Sequence, residues 1–171
     1  MKQMIPVLFA LLLISCKDLG EPGQEHAKIL FENEYINYAW GFNYQGVAVD
    51  QEGRLYSYNP AKDSIPELYH ADGYYSEQEL TEKYQHFKTY LKQINDDTLT
   101  WSHGLASAVP ANAYSDTTVV GADMGAFIYS VYIYRPQVGK YQKLVLKLEG
   151  DFTFYNKSES AKALAAWLKR L

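Results

Sequence analysis

The sequence has little sulfur, little imidazole and no excess of positive charge. Of its 171 residues, one is cysteine and four are histidine, and the formal net charge is −4. A mildly acidic chain lacks the basic patch that nucleic-acid binding requires. One cysteine forms no intramolecular disulfide, and no two histidines have the i,i+4 spacing of a helical metal site. We therefore expect no nucleic-acid partner, no disulfide, and no metal or other cofactor.

Long hydrophobic runs are also scarce, and the clearest one stands near the amino terminus. Met4 to Ile14 is apolar, follows the positive charge of Lys2, and is too short to span a bilayer as a stable helix. The run ends in Leu13-Ile14-Ser15-Cys16, which places an aliphatic residue three positions before the cysteine and a small residue directly before it. This tetrad resembles the lipobox of bacterial lipoprotein precursors.

The resemblance implies a fate for each part of the amino-terminal segment. Residues 1–15 would be a signal peptide, and Cys16 would become the first mature residue, carrying a diacylglyceryl group and an acyl chain such as palmitate. Two or three acyl chains anchor a protein stably to a membrane where one is marginal. Residues 16–28, which are polar and rich in turn residues, would form a flexible tether. The implied location is the bacterial cell envelope, on the periplasmic or cell-surface side of a membrane. The alternatives are an ordinary secretory signal with an incidental cysteine and a short buried helix.

Residues 29–171 are expected to form a single domain around one hydrophobic core. Strand-like segments occur between residues 36 and 58, including a hairpin over 46–58, and again from 126 to 155. Between them, Ser76 and Glu79 form a capping-box pattern, and apolar residues follow at helical spacing as far as Ile94. This pattern predicts one long helix over 76–94. A second helix is predicted at the carboxyl terminus, and residues 98–118 fit either a short helix or a loop.

Together these segments predict an α+β fold. The long central helix and the C-terminal helix would pack on one face of an antiparallel sheet. Leu144, Leu146 and Leu148 alternate with charged residues, so one face of that strand is predicted to be buried and the other solvated. The face of the sheet opposite the helices would then be exposed to solvent or used for binding.

Tyrosine is the residue present in excess, with sixteen in the chain. Tyr56 and Tyr58 share a face of one predicted strand, and Tyr132 and Tyr134 share a face of another. Tyrosine buries area at low conformational cost and keeps a polar tip, which suits glycans and peptides. Tyrosine also has high strand propensity, so ordinary sheet packing stays open. The sequence favours a non-catalytic envelope lipoprotein that binds a glycan, peptide or protein partner through these tyrosines, or else a structural subunit of an envelope assembly.

A hydrolase that uses His70 or His103 is the less favoured alternative. His103 follows Ser102, but adjacent residues on an extended chain point to opposite sides, and the sequence contains no Gly-x-Ser-x-Gly motif. His70 with Asp72 fits an ordinary turn better than a weak metal site. An enclosed pocket that places one of these histidines beside a carboxylate would support the hydrolase.

The chain from about Tyr35 onward is also similar to small bacterial lipoproteins of unknown function. The similarity rests on the hairpin Gly-Val-Ala-Val-Asp-x-x-Gly-x-Leu-Tyr-Ser-Tyr over 46–58 and on the ending Gly-Asp…Asn-x-Ser…Ala-Lys-x-Leu…Trp-Leu. These motifs are structural, so the resemblance implies no activity and no site residue.

Overall fold

A computed structural model of the chain describes residues 28–39, 41–65, 68–87 and 89–171. The predicted signal peptide, Cys16 and all of the predicted tether except Lys28 therefore lie outside the described residues. In the described part of the chain, no helix is long and apolar enough to cross a membrane.

The described residues form a large antiparallel sheet and several short helices, which confirms the mixed fold expected from the sequence. The strands are β1 Ile29–Asn37, β2 Asn43–Val49, β3 Arg54–Tyr58, β4 Tyr74–Tyr75, β5 Thr89–Gln93, β6 Thr118–Val119, β7 Ala126–Arg135, β8 Lys140–Gly150 and β9 Phe152–Tyr155. The helices are α1 Pro60–Asp63, α2 Glu77–Gln85, α3 Asp96–Ser107 and α4 Glu159–Leu168.

The named strands pair antiparallel in the order β5-β3-β2-β1-β7-β8-β9-β6, and β4 joins the sheet by pairing with β8. The predicted hairpin is the β2–β3 pair. Its turn closes with a 3.0 Å hydrogen bond from the Gly53 N–H to the Asp50 carbonyl, and Gly53 has a positive φ of 78°. A glycine adopts this backbone conformation without steric strain, which is why the turn ends here.

The prediction of one long helix over 76–94 is wrong. The capping box is present, because Ser76 caps the helix and the Glu79 carboxylate accepts the Ser76 N–H at 2.7 Å. However, α2 ends at Gln85, and residues 89–93 form the edge strand β5 beside β3. Phe87 and Ile94 are both buried, but in different clusters. The helical spacing of apolar residues therefore arose from two elements, and pairing with the free edge of β3 overrode the local helix propensity.

Helices cover both faces of the sheet, so the prediction that they pack on one face is also wrong. Successive side chains of a strand point to opposite faces. In β1, Phe31 packs in the cluster that includes Leu164 of α4, whereas Leu30 packs in the cluster that includes Leu80 of α2. We name these the α3/α4 face and the α2 face.

The α3/α4 face carries the larger apolar core. Phe31, Val131 and Leu164 are fully buried there, and the ring of Trp167 lies edge-on to Phe31 with centroids 5.1 Å apart. Each fully buried aliphatic or aromatic side chain contributes about 1.5–3 kcal/mol to folding. The α3/α4 face therefore supplies most of the hydrophobic stabilisation of the sheet.

A β-bulge changes which residues of β8 share a face. The register between β7 and β8 slips at Leu146, which has no partner in the ladder. Beyond the bulge, Lys147 lies beside α4 and Leu148 lies on the α2 face. The predicted sharing of one face by Leu144, Leu146 and Leu148 therefore holds only as far as Leu146.

Candidate functional site

The four tyrosines predicted as ligand-binding residues are directed to the α2 face but differ in exposure. Tyr58 is 3% exposed and Tyr132 is 2% exposed. Tyr56 and Tyr134 are partly buried. Tyr58 and Tyr132 are therefore core residues, which agrees with the alternative of ordinary sheet packing. In this structure they are not available for direct contact with a partner.

Four charged side chains meet beneath α2, and the sequence analysis did not identify them as a group. We call them the charge cluster: Glu32 and Glu34 of β1, Lys83 of α2 and Lys143 of β8. Glu32 is fully buried, Glu34 is 2% exposed and Lys83 is 5% exposed. Charged side chains are almost never buried to this degree unless they are paired.

Each lysine of the charge cluster has a carboxylate partner. The Nζ of Lys83 lies 2.6 Å from Oε1 of Glu32 and 3.7 Å from Oε1 of Glu34. The Nζ of Lys143 lies 2.9 Å from Oε2 of Glu34. Two negative and two positive charges therefore cancel inside the protein, which reduces the free energy of burying them.

Three tyrosine hydroxyls donate to the same carboxylates. Tyr132 donates to Oε2 of Glu32 at 2.8 Å, Tyr58 donates to Oε1 of Glu34 at 3.1 Å, and Tyr44 also donates to Oε1 of Glu34. Burial raises the pKa of all three tyrosines, and the nearby carboxylate charges raise it further. The hydroxyls therefore stay protonated and keep their role as donors.

The lysines also fix the charge state of Glu34. Burial raises the pKa of Glu34, but the charges of Lys143 and Lys83 and the hydrogen bond from Tyr44 outweigh it and hold the pKa well below its usual range. Burial lowers the pKa of Lys143, whereas the charges of Glu34 and Glu32 raise it above its ordinary value. Both groups are therefore ionised at neutral pH.

Two polar atoms beside the charge cluster lack a hydrogen-bond partner within the described part of the chain. They are the hydroxyls of Tyr84 and Ser130, both buried. Ser130 pairs with Glu32 across β1 and β7, and Tyr84 follows Lys83 in α2. Burial raises the pKa of Tyr84, and the charge of Glu32 adds to the effect. The α2 face therefore leaves some hydrogen-bonding capacity unused.

A cavity of about 500 Å³ opens beside the charge cluster, and we call it the α2 cleft. Its volume lies in the range of small-molecule binding sites. Glu34, Lys83 and Lys143 contribute polar groups to its lining. Tyrosine side chains, His70 and Asp72 also line it, and the larger aliphatic side chains of its wall are Ile36, Ile65, Leu68, Ile128, Val145 and Leu148.

Exposed aromatic side chains lie at the rim of the α2 cleft. Tyr69 is 82% exposed and Tyr38 is 68% exposed, and both line the cleft. Phe42 packs on Tyr38 with ring centroids 5.4 Å apart. We call these three residues the aromatic rim. Tyr38 and Phe42 belong to a segment that the sequence predicted as a strand, but they follow the end of β1 at Asn37 and precede the start of β2 at Asn43. Tyr69 also lies outside the strands, so the sequence did not group the three. Exposed aromatics grouped at a cavity mouth are typical of interaction sites.

His70 also lines the α2 cleft and lies beside a carboxylate. Its Nε2 is 2.8 Å from Oε1 of Glu79. The side-chain hydrogen bond from Ser76, with further contributions from the Ser76 N–H and His70, lowers the pKa of Glu79 to about 2. A cavity that places His70 beside a carboxylate is the arrangement expected above for the hydrolase, so the hydrolase at His70 stays a prediction. The Ser76 hydroxyl donates to Glu79 at 2.6 Å.

His103 lies on the other side of the sheet. Its ring stacks on Phe31 with centroids 5.8 Å apart, within the α3/α4 face. The neighbouring Ser102 is fully buried and donates to the Leu99 carbonyl at 2.8 Å. The structure therefore separates His70 and His103, and the Ser102-His103 pair does not form a catalytic arrangement.

Among residues 28–39, 41–65, 68–87 and 89–171, no group of three or more histidine, cysteine, aspartate or glutamate side chains is arranged to hold a metal ion. Comparison with known proteins gives no match to a family model, a curated protein or a solved structure. The function proposed below therefore rests on the α2 cleft and on the residues around it.

Proposed function

We propose that this protein is a lipid-anchored, non-catalytic binding protein of the bacterial cell envelope, and that its α2 cleft receives part of a glycan or peptide. The observation that carries the proposal is the aromatic rim of Tyr38, Phe42 and Tyr69 at the mouth of a cavity with a fixed polar lining. Aromatic rings at the mouth can stack on sugar rings or peptide side chains. The aromatic rim thus takes the place of Tyr58 and Tyr132 in the binding hypothesis.

The polar groups of the cleft support binding because they are already oriented. The carboxylate of Glu34 is bound by Lys143 and by two tyrosine hydroxyls, so its position is set before a ligand arrives. A ligand that meets fixed donors and acceptors loses less free energy to ordering than one that must organise them. The charge cluster therefore serves as a rigid support for the cleft.

The lipid anchor at Cys16 is an expectation from the sequence, and the direction of β1 adds a geometric consequence. The chain enters this nine-residue strand at Ile29, and Tyr38 follows its other end. A strand of this length spans roughly 25–30 Å. A tether joined at Ile29 would thus leave Tyr38, with Phe42 packed on it, at the far end of β1 from the membrane attachment, where an external ligand can reach it.

A binding experiment tests this proposal. The full chain, isolated from bacterial membranes and placed in nanodiscs, would be applied to a glycan array and a peptide array. We expect binding to one of the arrays, and a loss of about tenfold or more when Tyr38, Phe42 and Tyr69 are all replaced by alanine, because aromatic residues are enriched among those that dominate binding energies. The control is Tyr90→Ala, which removes a 53% exposed tyrosine outside the cleft. No binding on either array, or equal binding by the rim variant, would contradict the proposal.

The anchor is tested separately by mass spectrometry of the mature amino terminus. A lipid-modified Cys16 at the first position supports the envelope location. An unmodified Cys16 would remove the anchor from the proposal and leave the binding cleft untouched.

A structural subunit of an envelope assembly is the second candidate, and an exposed apolar patch favours it. Val119 is 70% exposed, Val120 is 58% exposed, and Phe152, which pairs with Val119, is 53% exposed. Apolar groups exposed together in this way mark protein–protein contacts. Crosslinking in intact cells tests this candidate, since Val119→Asp should abolish any crosslinked partner, whereas the rim variant should not.

A further inference from the structure

We propose that the α2 cleft selects a ligand with an apolar body and a carboxylate end, and that the ammonium of Lys143 binds the carboxylate. The inference rests on the proposed function, because it names the ligand chemistry of the same cleft. A peptide that ends in an aliphatic residue and a fatty acid both have this chemistry, and the probes below distinguish them.

Lys143 is the member of the charge cluster that a ligand can reach. Its side chain is 19% exposed, compared with 6% for Lys83 and 3% for Glu34. It lines the cleft from β8. An anionic group that enters the cleft therefore meets Lys143 before it meets the deeper charges.

The ammonium of Lys143 also has donor capacity left for a ligand. An ammonium group has three N–H donors. Within the described part of the chain, Oε2 of Glu34 accepts one of them at 2.9 Å, and Nζ also lies 5.3 Å from the centroid of the Tyr132 ring. A carboxylate is among the strongest acceptors for the remaining donors.

The other charges around the cleft do not oppose an anion at this position. The charges of Glu32 and Glu34 are together balanced by Lys83 and Lys143, and the Glu34 carboxylate also accepts from two tyrosine hydroxyls. Asp72 is exposed at the rim, where solvent screens its charge, and it accepts the Tyr74 N–H at 3.0 Å. The ammonium of Lys143 therefore favours entry of the carboxylate end of a ligand.

The remainder of the cleft selects the body of the ligand. Ile36, Ile128 and Leu148 are among the aliphatic side chains that form its wall. An aliphatic chain or side chain placed against them removes apolar surface of the ligand and of the wall from water. The combination of an aliphatic wall and one accessible ammonium fits an apolar carboxylate.

The test compares acids with their neutral amides. The probes are hexanoate against hexanamide, and acetyl-Gly-Leu against its carboxyl-terminal amide, each titrated into the full chain in nanodiscs. Binding is followed by the methyl NMR signals of Ile36, Ile65 and Ile128. We expect the acids to shift these signals and to bind about tenfold or more tightly than the amides, because a charge-assisted hydrogen bond is lost with the carboxylate.

Two variants locate the effect at Lys143. Lys143→Gln should weaken binding of the acids to the level of the amides, whereas Lys140→Gln, which changes the same charge at the exposed first position of β8, should leave it unchanged. Since Lys143→Gln leaves Glu34 with less compensation, the double variant Glu34→Gln/Lys143→Met keeps the cluster neutral and should show the same loss.

The outcomes are distinguishable from those of the proposed function. Tighter binding of hexanoate identifies a fatty acid as the source of the carboxylate, tighter binding of acetyl-Gly-Leu identifies a peptide terminus, and both support the inference. Amides that bind as tightly as acids, or variants at Lys143 that bind as tightly as the unchanged protein, overturn it. Rim-dependent binding on the arrays would in that case leave the proposed function standing, and its absence would overturn both.

Discussion

The α3/α4 face of the sheet is filled with aliphatic and aromatic side chains, whereas the α2 face encloses two glutamates and two lysines. Both faces are covered by helices, and the same strand, β1, contributes to both through alternate residues. On one face, Phe31 meets Trp167; on the other, the adjacent Glu32 meets Lys83. One residue along the strand thus separates an apolar contact from a buried ion pair.

The difference between the faces indicates that they serve different purposes. Apolar burial stabilises a fold directly, whereas a buried ion pair often stabilises it less than well-packed apolar residues of the same volume would. The α2 face also contains the hydroxyls of Tyr84 and Ser130, which have no hydrogen-bond partner among the described residues. We therefore infer that the charge cluster is present for the cleft beside it and that the α3/α4 face supplies the stability that permits it.

The largest expected effect comes from leaving one buried charge unpaired. Glu32→Gln removes the closest partner of Lys83, and we expect the free energy of unfolding to fall by about 3–5 kcal/mol. Urea denaturation measures the change. The matched control is Glu77→Gln, which breaks the exposed pair with Lys28 and should change stability by less than about 1 kcal/mol. A loss below about 1 kcal/mol for Glu32→Gln would show that the cluster is not a tightly coupled buried network.

A cavity created by mutation in the α3/α4 face should lower the free energy of unfolding slightly less. Leu164 is fully buried in the α3/α4 core, and Leu164→Ala should lower the free energy of unfolding by about 3 kcal/mol. Leu91→Ala, at a 46% exposed position, is the control and should stay within about 0.5 kcal/mol. If Leu164→Ala and its control behaved alike, the α3/α4 face would not be the main apolar core.

Acid should weaken the α2 face through Glu34. The pKa of Glu34 is lowered in the folded protein, so its contribution is fully present above its unfolded pKa, near 4.5, and is lost as the pH falls below that value. We expect a loss on the order of 2 kcal/mol, measured by urea denaturation at a series of pH values. Glu34→Gln should flatten this part of the profile. An unchanged acid profile in that variant would contradict the assignment.

Replacing the helix caps should give the smallest stability changes, and it compares one cap on each face of the sheet. Ser76 caps α2, and Ser158 caps α4 on the other face. Replacing either with alanine should lower stability by about 1 kcal/mol. Only Ser76→Ala also releases Glu79, the partner of His70 at the cleft, so only this variant should weaken ligand binding on the arrays. Equal binding by both variants would remove the capping box of α2 from the account of the site.

Local patterns carried the successful sequence predictions. The hairpin over 46–58 follows from its turn residues, and the start of α2 follows from Ser76 and Glu79, since both features involve neighbours in sequence. The end of α2 was mispredicted because the free edge of β3, which recruits residues 89–93, is not visible in the local pattern. Pairing with β3, rather than local helix propensity, therefore determines the conformation of residues 89–93.

The charge cluster could be anticipated only in part. Glu32 and Glu34 stand two residues apart between apolar residues on either side, within residues 29–36. This spacing is a sequence signal for two carboxylates on one face of a strand. Their partners could not be inferred, because Lys83 and Lys143 reach them only through helix packing and strand pairing across 51 and 109 residues. The aromatic rim likewise depends on loops that the fold brings together.

The central claim, that the charges of the α2 face are kept for binding rather than for stability, is tested most directly by the double variant Glu34→Gln/Lys143→Met. Its free energy of unfolding and its binding of the array ligand would be measured on the same preparation. We expect stability within about 1 kcal/mol of the unchanged protein and binding weakened about tenfold or more. A large loss of stability with binding retained by the folded fraction would contradict the account.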